Sequence, residues 1–295
     1  MPHIPVLLDK VVEVLGIDKD KFIVDGTVDG GGHGLEIIKR LGKKGTFLGI
    51  DRDGELLKRL DVKLKAIKTS PRIVLSHGSY AELPEILCKE NLPKADGLLL
   101  DLGFSSDQLL AGKGFSFQSD EPLDMRYDQS KGVTAAEILN KSTDEELADI
   151  FFHYGEERFS RRIARGIVER RRREKILTTF QLVEAIRSSV PGNYERGRIN
   201  PATRVFQALR IYVNSELTEL QTILDGLDQV ITSGGRVAII SFHSLEDRIV
   251  KRSFQSLGRE GKINILTKKP LTATEEEISQ NPRSRSAKLR VAEII

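Results

Sequence analysis

Val24-Asp25-Gly26-Thr27-Val28-Asp29-Gly30-Gly31-Gly32-His33-Gly34 follows the apolar run Phe22-Ile23-Val24 and precedes an amphipathic stretch carrying Leu35, Ile37, Ile38 and Leu41. These residues predict a strand, a glycine-rich turn and a helix in succession. Glycines at such a turn let the backbone reverse sharply and approach a ligand at the N-terminal end of the helix. The next apolar run, Thr46 to Ile50, ends in Asp51. An acidic residue there can accept hydrogen bonds from both hydroxyls of a ribose. The combination describes a pocket for an adenosine-containing cofactor. Dinucleotide sites favour G-x-G-x-x-G spacing beneath a pyrophosphate. Here Gly30, Gly31 and Gly32 are consecutive and His33 follows, so a nicotinamide dinucleotide fits poorly.

Outward from that stretch, Leu56, Leu57, Leu60, Leu64 and Ile67 mark a helix, Arg72 to Leu75 a third strand and Gly97 to Asp101 a fourth. Short, wholly apolar strands alternating with helices predict a parallel sheet covered on both faces. In such a sheet the ligand lies across the carboxyl ends of the strands where strand order reverses. Asp101 therefore points toward the same crevice as the glycine turn; its structural alternative is to cap the loop Ser105-Ser106-Asp107-Gln108. From about Phe115 to Glu216 the pattern is helical. Helices are expected over Thr143 to His153, with Thr143 as N-cap and Glu146 completing a capping box, over Glu157 to Arg173, over Thr179 to Val190, and from Pro201 onward. The α/β pattern then returns, with a helix over Leu217 to Val230, a turn at Ser233-Gly234-Gly235, a strand over Arg236 to Phe242, a helix from Ser244, and strands near Ile263 to Leu266 and Leu289 to Ile295. The expected organisation is a discontinuous sheet domain, 1–114 with 216–295, and an all-helical insertion, 115–215.

The bulk numbers are consistent with an enzyme of ordinary size. The chain has 295 residues, of which 39% are hydrophobic, enough for a substantial core. A single cysteine, Cys88, excludes an intramolecular disulfide and a multi-cysteine zinc site. No His/Asp/Glu cluster has convincing metal spacing, so no metal is assigned. No secretory signal and no membrane-length apolar run are evident, which makes the cytoplasm the expected location. The net charge of +3 says little, but its distribution is uneven. Arg158, Arg161, Arg162, Arg165, Arg170, Arg171, Arg172, Arg173 and Lys175 stand against only Glu169 and Glu174, and that excess over one helix suits a polyanion.

The chain resembles the MraW (RsmH) family of ribosomal RNA small-subunit methyltransferases nearly end to end. The resemblance is carried by His3-Ile4-Pro5-Val6-Leu7-Leu8, Asp25 to Gly34, Gly49-Ile50-Asp51-Arg52-Asp53, Asp101 to Leu109, Gly114-Phe115-Ser116-Phe117 and Pro122-Leu123-Asp124-Met125-Arg126. It continues through Tyr154 to Phe159, Asn200 to Arg204, Phe206 to Arg210, Ser241 to Arg248 and Asn281 to Ser286. It implies a class I (Rossmann-like) methyltransferase sheet domain with a helical insertion. It also implies S-adenosylmethionine as cofactor and N4 of a cytosine in the decoding region of 16S ribosomal RNA as acceptor, with rRNA in the small subunit as partner. The family's cofactor positions fall on Gly31, Gly32, His33, Asp51, Asp101 and Gln108, and Tyr80 stands where the family has an aromatic near the adenine. Asp29 departs from the family's usual Gly and Gly34 from its usual Ser; Asp tolerates left-handed backbone angles.

For the reaction, Asp101, with the Leu102 carbonyl, is the expected acceptor for protons of the target amine. Phe104 is a candidate for stacking on the base, although the Asp/Asn-Pro-Pro-aromatic motif of many amine methylases is absent. Asp124 and Arg126 either position the base or its phosphate, or form a buried ion pair. Ser241 and His243, at the end of the fifth strand, are weaker candidates, with His243 read first as a helix cap. Competing readings are a methyltransferase acting on another nucleic acid or a protein amide, and a cofactor-binding ribosome-assembly factor without required catalysis. Turnover with labelled cofactor separates them.

Overall fold

The computed structural model describes residues 5–66, 71–103, 106–109, 111–192, 194 and 200–295. His3, Ile4, Ile67, Phe104 and Ser105, named above, lie outside them. The chain divides into two compact units, Met1–Ser105 with Leu217–Ile295, and Ser106–Glu216.

The first unit opens with α1 (Leu8–Leu15), then β1 (Phe22–Asp25), α2 (Gly32–Arg40), β2 (Thr46–Asp51), α3 (Gly54–Lys65), β3 (Arg72–His77), α4 (Leu83–Lys89) and β4 (Ala95–Asp101). The second unit contains α5 (Ser106–Leu109), α6 (Ala135–Lys141), α7 (Asp144–Gly155), α8 (Ser160–Arg171), α9 (Thr179–Ser189) and α10 (Ala202–Val213). The chain returns through α11 (Glu216–Asp225) and α12 (Leu227–Val230) to β5 (Ile231–Ser241), α13 (Ser244–Arg259), β6 (Ile263–Ile265), α14 (Glu275–Gln280) and β7 (Lys288–Ile294).

All seven strands form one sheet in the order β3-β2-β1-β4-β5-β7-β6. The first five are mutually parallel, and β7 runs antiparallel to both its neighbours. Side chains on successive strand residues point to opposite faces, and two separate cores show it. Leu98, Leu100, Val237 and Ile239 pack with α4, α11 and α13, while Leu99, Ala238 and Ile240 pack with α1, α2 and α3. Both faces are covered, which is why these strands read as unbroken apolar runs. Each fully buried Leu, Ile or Val contributes about 1.5–3 kcal/mol on removal from water.

Two local expectations are corrected. Ser233-Gly234-Gly235 is no turn between elements; it lies inside β5, where the pairing with β4 shifts register between Ala95 and Gly97. Gly234, at φ +77, supplies the left-handed residue of this bulge. The single helix expected over Leu217 to Val230 breaks at Gly226 into α11 and α12. In the second unit, Thr143 caps α7 and forms a capping box with Glu146. Its core includes Leu147, Phe151, Ile163, Ile167, Ile186 and Leu209, all buried.

Candidate active site

After β1 the chain crosses to β2 on one side, and after β4 it continues toward β5 on the other. The sheet's switch point thus lies between β1 and β4, and the loops leaving their carboxyl ends flank it. Asp25 ends β1 and Asp101 ends β4. Thr27 ties the two ends together. Its backbone N–H donates to Asp25 Oδ1 at 3.2 Å, and its Oγ1 accepts the Asp101 backbone N–H at 2.7 Å.

The glycine turn then feeds α2. Asp29 adopts φ +46, the left-handed conformation that Asp can sustain. Gly31 precedes α2 at φ +90, and a Cβ there would lie 2.5 Å from Leu60 Cδ1. Gly31→Ala therefore combines backbone strain with a core overlap. It is expected to destabilise the fold by about 2–4 kcal/mol, read as a lowered thermal midpoint. Gly32 begins the helix, and His33 is buried in its first turn.

His33 Nε2 lies 2.9 Å from the Val6 carbonyl oxygen, and its Nδ1 lies 3.5 Å from Asp101 Oδ2. A carbonyl only accepts, so Nε2 carries a hydrogen and donates it to Val6. Asp101 is 14% exposed at its side chain, and its Oδ1 is buried with no hydrogen-bond partner. Burial, followed by the charges of Asp25 and Glu246, pushes the Asp101 carboxyl well above the usual range. Burial likewise pushes Asp25 up to about 7, with Asp51 adding to the rise and the Thr27 hydrogen bonds opposing it.

Asp51, at the end of β2, is buried. Its Oδ2 accepts from Asp29 N at 2.8 Å and its Oδ1 from Asp53 N at 2.7 Å. A carboxylate offers about four acceptor positions; the Arg52 backbone N–H also bears on Asp51, which leaves capacity to accept from a ribose hydroxyl. Burial pushes Asp51 up to about 6, against those backbone donors. Asp53 caps α3, which fixes the chain immediately after Asp51. Tyr80 is buried in a 3-10 turn over Tyr80–Glu82, secured by a capping box between Ser79 and Glu82.

At the end of β5, Ser241 is buried with Oγ 3.4 Å from the Lys288 carbonyl oxygen. His243 is the N-cap of α13, its Nδ1 accepting from Glu246 N at 3.4 Å. Its Nε2 lies 3.0 Å from Glu246 Oε1 without hydrogen-bond geometry. Glu246 is buried and accepts from the backbone N–H groups of Phe242 and His243.

Asp25, Asp51, Asp101, His33, Ser241 and His243 thus all sit at the carboxyl ends of the first unit's strands. Among the described residues, no Lys or Arg is ion-paired with Asp25, Asp51 or Asp101. A group of buried acids with an unpartnered carboxylate oxygen and ribose-accepting capacity fits a cofactor that brings a diol and positive charge. Three members were not singled out from sequence: Asp25, Thr27 and Glu246. Asp25 carries the same signal as Asp101, an acid closing an apolar strand.

The remaining candidates belong to the second unit. Gln108 is buried in α5. Asp124 and Arg126 form a two-pronged ion pair, Nε to Oδ1 at 2.7 Å and Nη2 to Oδ2 at 2.9 Å. Burial pushes Asp124 up, but the hydrogen bonds from Arg126 outweigh it and hold the carboxyl below its usual range. Arg126 also donates to the carbonyls of Lys131 and Gly132, so the pair closes its own loop.

In α8, Ile163 and Ile167 face the core while basic residues occupy the outer side. The basic residues divide by partner. Arg170 pairs with Glu184 at 2.6 Å, Arg171 donates to the Leu139 carbonyl, and the Arg158 guanidinium lies over the Tyr194 ring at 4.7 Å. Arg161, Arg162, Arg165, Arg172, Arg173 and Lys175 are exposed and have no ion pair or side-chain hydrogen bond among the described residues. A groove of about 870 Å³ runs along this surface, lined by Arg161, Arg162, Arg165, Arg173 and Ser188 among others. Convergent guanidinium groups without internal partners can hold phosphate oxygens.

A model of the MraW methylase family matches residues 1–295. The chain is 47% identical to Ribosomal RNA small subunit methyltransferase H of Syntrophotalea carbinolica, over 98% of this chain and 96% of that protein. It is 46% identical to the protein of the same name from Persephonella marina, over 99% of both. Among solved structures it is similar to a SAM-dependent methyltransferase from Aquifex aeolicus, with TM-score 0.45 and 10% identity over 98% of this chain and 90% of the other.

Proposed function

Because the chain belongs to the MraW methylase family, we propose that it transfers a methyl group from S-adenosylmethionine to N4 of a cytosine in the decoding region of 16S ribosomal RNA. The sheet is the class I, Rossmann-like methyltransferase sheet. The observation that supports the reaction best is Asp101, a buried carboxyl with one unpartnered oxygen at the sheet's switch point. Asp51 would hold the ribose hydroxyls, Tyr80 would flank the adenine, and the turn through Gly31, Gly32 and His33 would hold the remainder of the cofactor. When bound, the cofactor supplies a methyl group on a positively charged sulfur that is already a good leaving group.

The residues of this chain then have two tasks. One is alignment, since proximity and orientation supply a large share of such catalysis. The other concerns the acceptor amine, whose lone pair is delocalised into the cytosine ring. Asp101 accepts a hydrogen bond from the amine, favours a pyramidal nitrogen and stabilises positive charge developing there. The N4–H bond breaks as the N4–methyl bond is completed, and Asp101 takes the proton. Ser241 and His243 are the further candidates for touching the base. Asp124 and Arg126 support this role less, because each already satisfies the other.

The arginine groove on α8 holds phosphates of the RNA, giving affinity without reading sequence. A base inside folded RNA must be splayed out to reach a pocket, which loops permit at low cost. The protein acts in the cytoplasm on small subunits; no described helix is long and apolar enough to cross a membrane.

The test is transfer of a labelled methyl group from S-adenosylmethionine to small subunits lacking the modification, with naked RNA in parallel. Products are digested to nucleosides and identified by mass. N4-methylcytidine is the expected product, in greater yield from subunits. Cofactor binding without transfer to either RNA would reject the assignment and favour another acceptor or a binding-only role.

A further inference from the structure

The hydrogen bonding around His33 poses a proton problem. Nε2 donates to the Val6 carbonyl, and Nδ1 lies 3.5 Å from Asp101 Oδ2, while the other Asp101 oxygen, Oδ1, is buried with no hydrogen-bond partner. A buried carboxylate oxygen that no donor meets is costly to keep charged, and a proton held within the group removes that charge. The surroundings favour keeping that proton. Asp25 on β1, Asp51 on β2 and Glu246 on α13 are buried acids, and His243 precedes α13. Lys and Arg are absent as ion-pair partners of Asp25, Asp51 and Asp101 among the described residues. Burial raises both Asp25 and Asp101, with the charge of Asp51 adding to the first and those of Asp25 and Glu246 to the second, consistent with a proton resident in the group.

We propose that the Asp25–His33–Asp101 cluster carries one extra proton without cofactor and releases it to solvent when the cationic methyl donor binds, so that the pocket distinguishes donor from demethylated product by charge. The inference rests on the cofactor reading above. It closes a balanced cycle. On donor binding, the cluster loses H⁺ to solvent and becomes the carboxylate that faces a fixed positive charge. On transfer, sulfur becomes neutral, the N4 amine loses one proton, and Asp101 recovers it. The site then holds a neutral acid beside a neutral product. Electrostatic attraction is therefore present for the donor and removed by the reaction itself, which favours product release.

The sign of the pH dependence follows. Binding that releases a proton tightens as pH rises while the cluster is protonated, by up to about tenfold per pH unit, and levels off above its pKa. S-adenosylhomocysteine shares the adenosine and amino-acid portions but lacks the charge on sulfur, so it reports any protons released by those portions.

The experiment is isothermal titration of the full chain with each ligand between pH 6 and 8, in buffers of different ionisation enthalpy. The proton count is the slope of observed heat against buffer ionisation enthalpy. The expected result is about one more proton released by S-adenosylmethionine than by S-adenosylhomocysteine near neutral pH, with Kd falling with pH for the former and nearly flat for the latter. Asp101→Asn should abolish the difference, and His33→Gln serves if that variant does not fold. Equal proton counts for the two ligands in the unaltered protein, or an undiminished difference in a folded variant, overturn the proposal. Failure of either ligand to bind would instead sink the cofactor reading itself.

Discussion

Asp101→Asn is expected to slow methyl transfer by a factor of about 10²–10⁴, the range in which a positioned proton acceptor contributes. The substitution is nearly isosteric and keeps the backbone N–H that donates to Thr27 Oγ1. It changes the chemistry in two ways. An amide nitrogen is a donor, so one of the two positions that accept from the substrate amine becomes repulsive. The side chain also loses the capacity to take up the proton that leaves N4. The expected loss corresponds to about 3–5 kcal/mol of transition-state stabilisation. Single-turnover transfer to small subunits, with enzyme in excess, reads the chemical step directly. Circular dichroism and cofactor titration at pH 8 check that the variant folds and binds. A folded, cofactor-binding Asp101→Asn protein with turnover within about threefold of the original would remove Asp101 from the reaction.

The second large effect concerns RNA. Replacing Arg161, Arg162, Arg165 and Arg173 together by Gln should weaken RNA binding by about a hundredfold or more near physiological salt. It should also flatten the dependence of log K on log salt by about 3, since each neutralised phosphate contributes a slope of about −0.7 to −0.9. Gln has nearly the helix propensity of Arg, so α8 should persist. The choice of four follows from the contacts. These side chains line the groove and have no ion pair or side-chain hydrogen bond among the described residues, whereas Arg158, Arg170 and Arg171 are engaged with Tyr194, Glu184 and Leu139. Filter binding over a potassium chloride series measures both quantities, and S-adenosylmethionine affinity should be unchanged. An unaltered salt slope would show that phosphates bind elsewhere and leave α8 as a solvated face.

That division among the arginines was illegible in the sequence. Composition shows an excess of charge over one helix, but which guanidinium groups are already committed depends on Leu139, Glu184 and Tyr194, outside the helix that carries them. The acid cluster was half legible. Asp51 and Asp101 stand out because each ends an apolar strand, where a carboxyl needs a reason to be buried. Asp25 meets the same criterion but merges with the glycine turn that follows it. Glu246 closes the capping box of α13, and nothing local in the sequence reveals that its charge reaches Asp101. The contact of His33 with Asp101 joins residues of two different elements, and no periodicity encodes it.

The fold was legible where burial imposes a pattern and less so where pairing decides. Runs such as Gly97 to Asp101 and Val237 to Ile240 read as strands because both faces are covered. Ser233-Gly234-Gly235 carries strong turn chemistry, yet pairing with β4 on either side of the irregularity keeps it within β5 as a bulge. The break at Gly226 is the converse, a helix pattern interrupted by the one residue that supports it least. The segment from Leu289 reads as a strand, but its direction and its place between β5 and β6 depend on partners far away in sequence.

That placement has a consequence for how the chain matures during synthesis. β7 comes after the other six strands of the sheet in chain order, yet it occupies an interior position, with β5 on one side and β6 on the other. Until residues 288–294 emerge, β5 presents a long row of unsatisfied N–H and C=O groups, and β6 has no neighbour to join. Open edges of this kind are templates for aggregation. Pairing β4 with β5 must also await the whole helical insertion, because Asp101 aligns with Ile240, and such distant closures are slow steps. A chain cut short before residue 288 would keep every residue of the glycine turn and the acid cluster and still lack a finished sheet, which leaves prematurely terminated copies exposed to proteolysis.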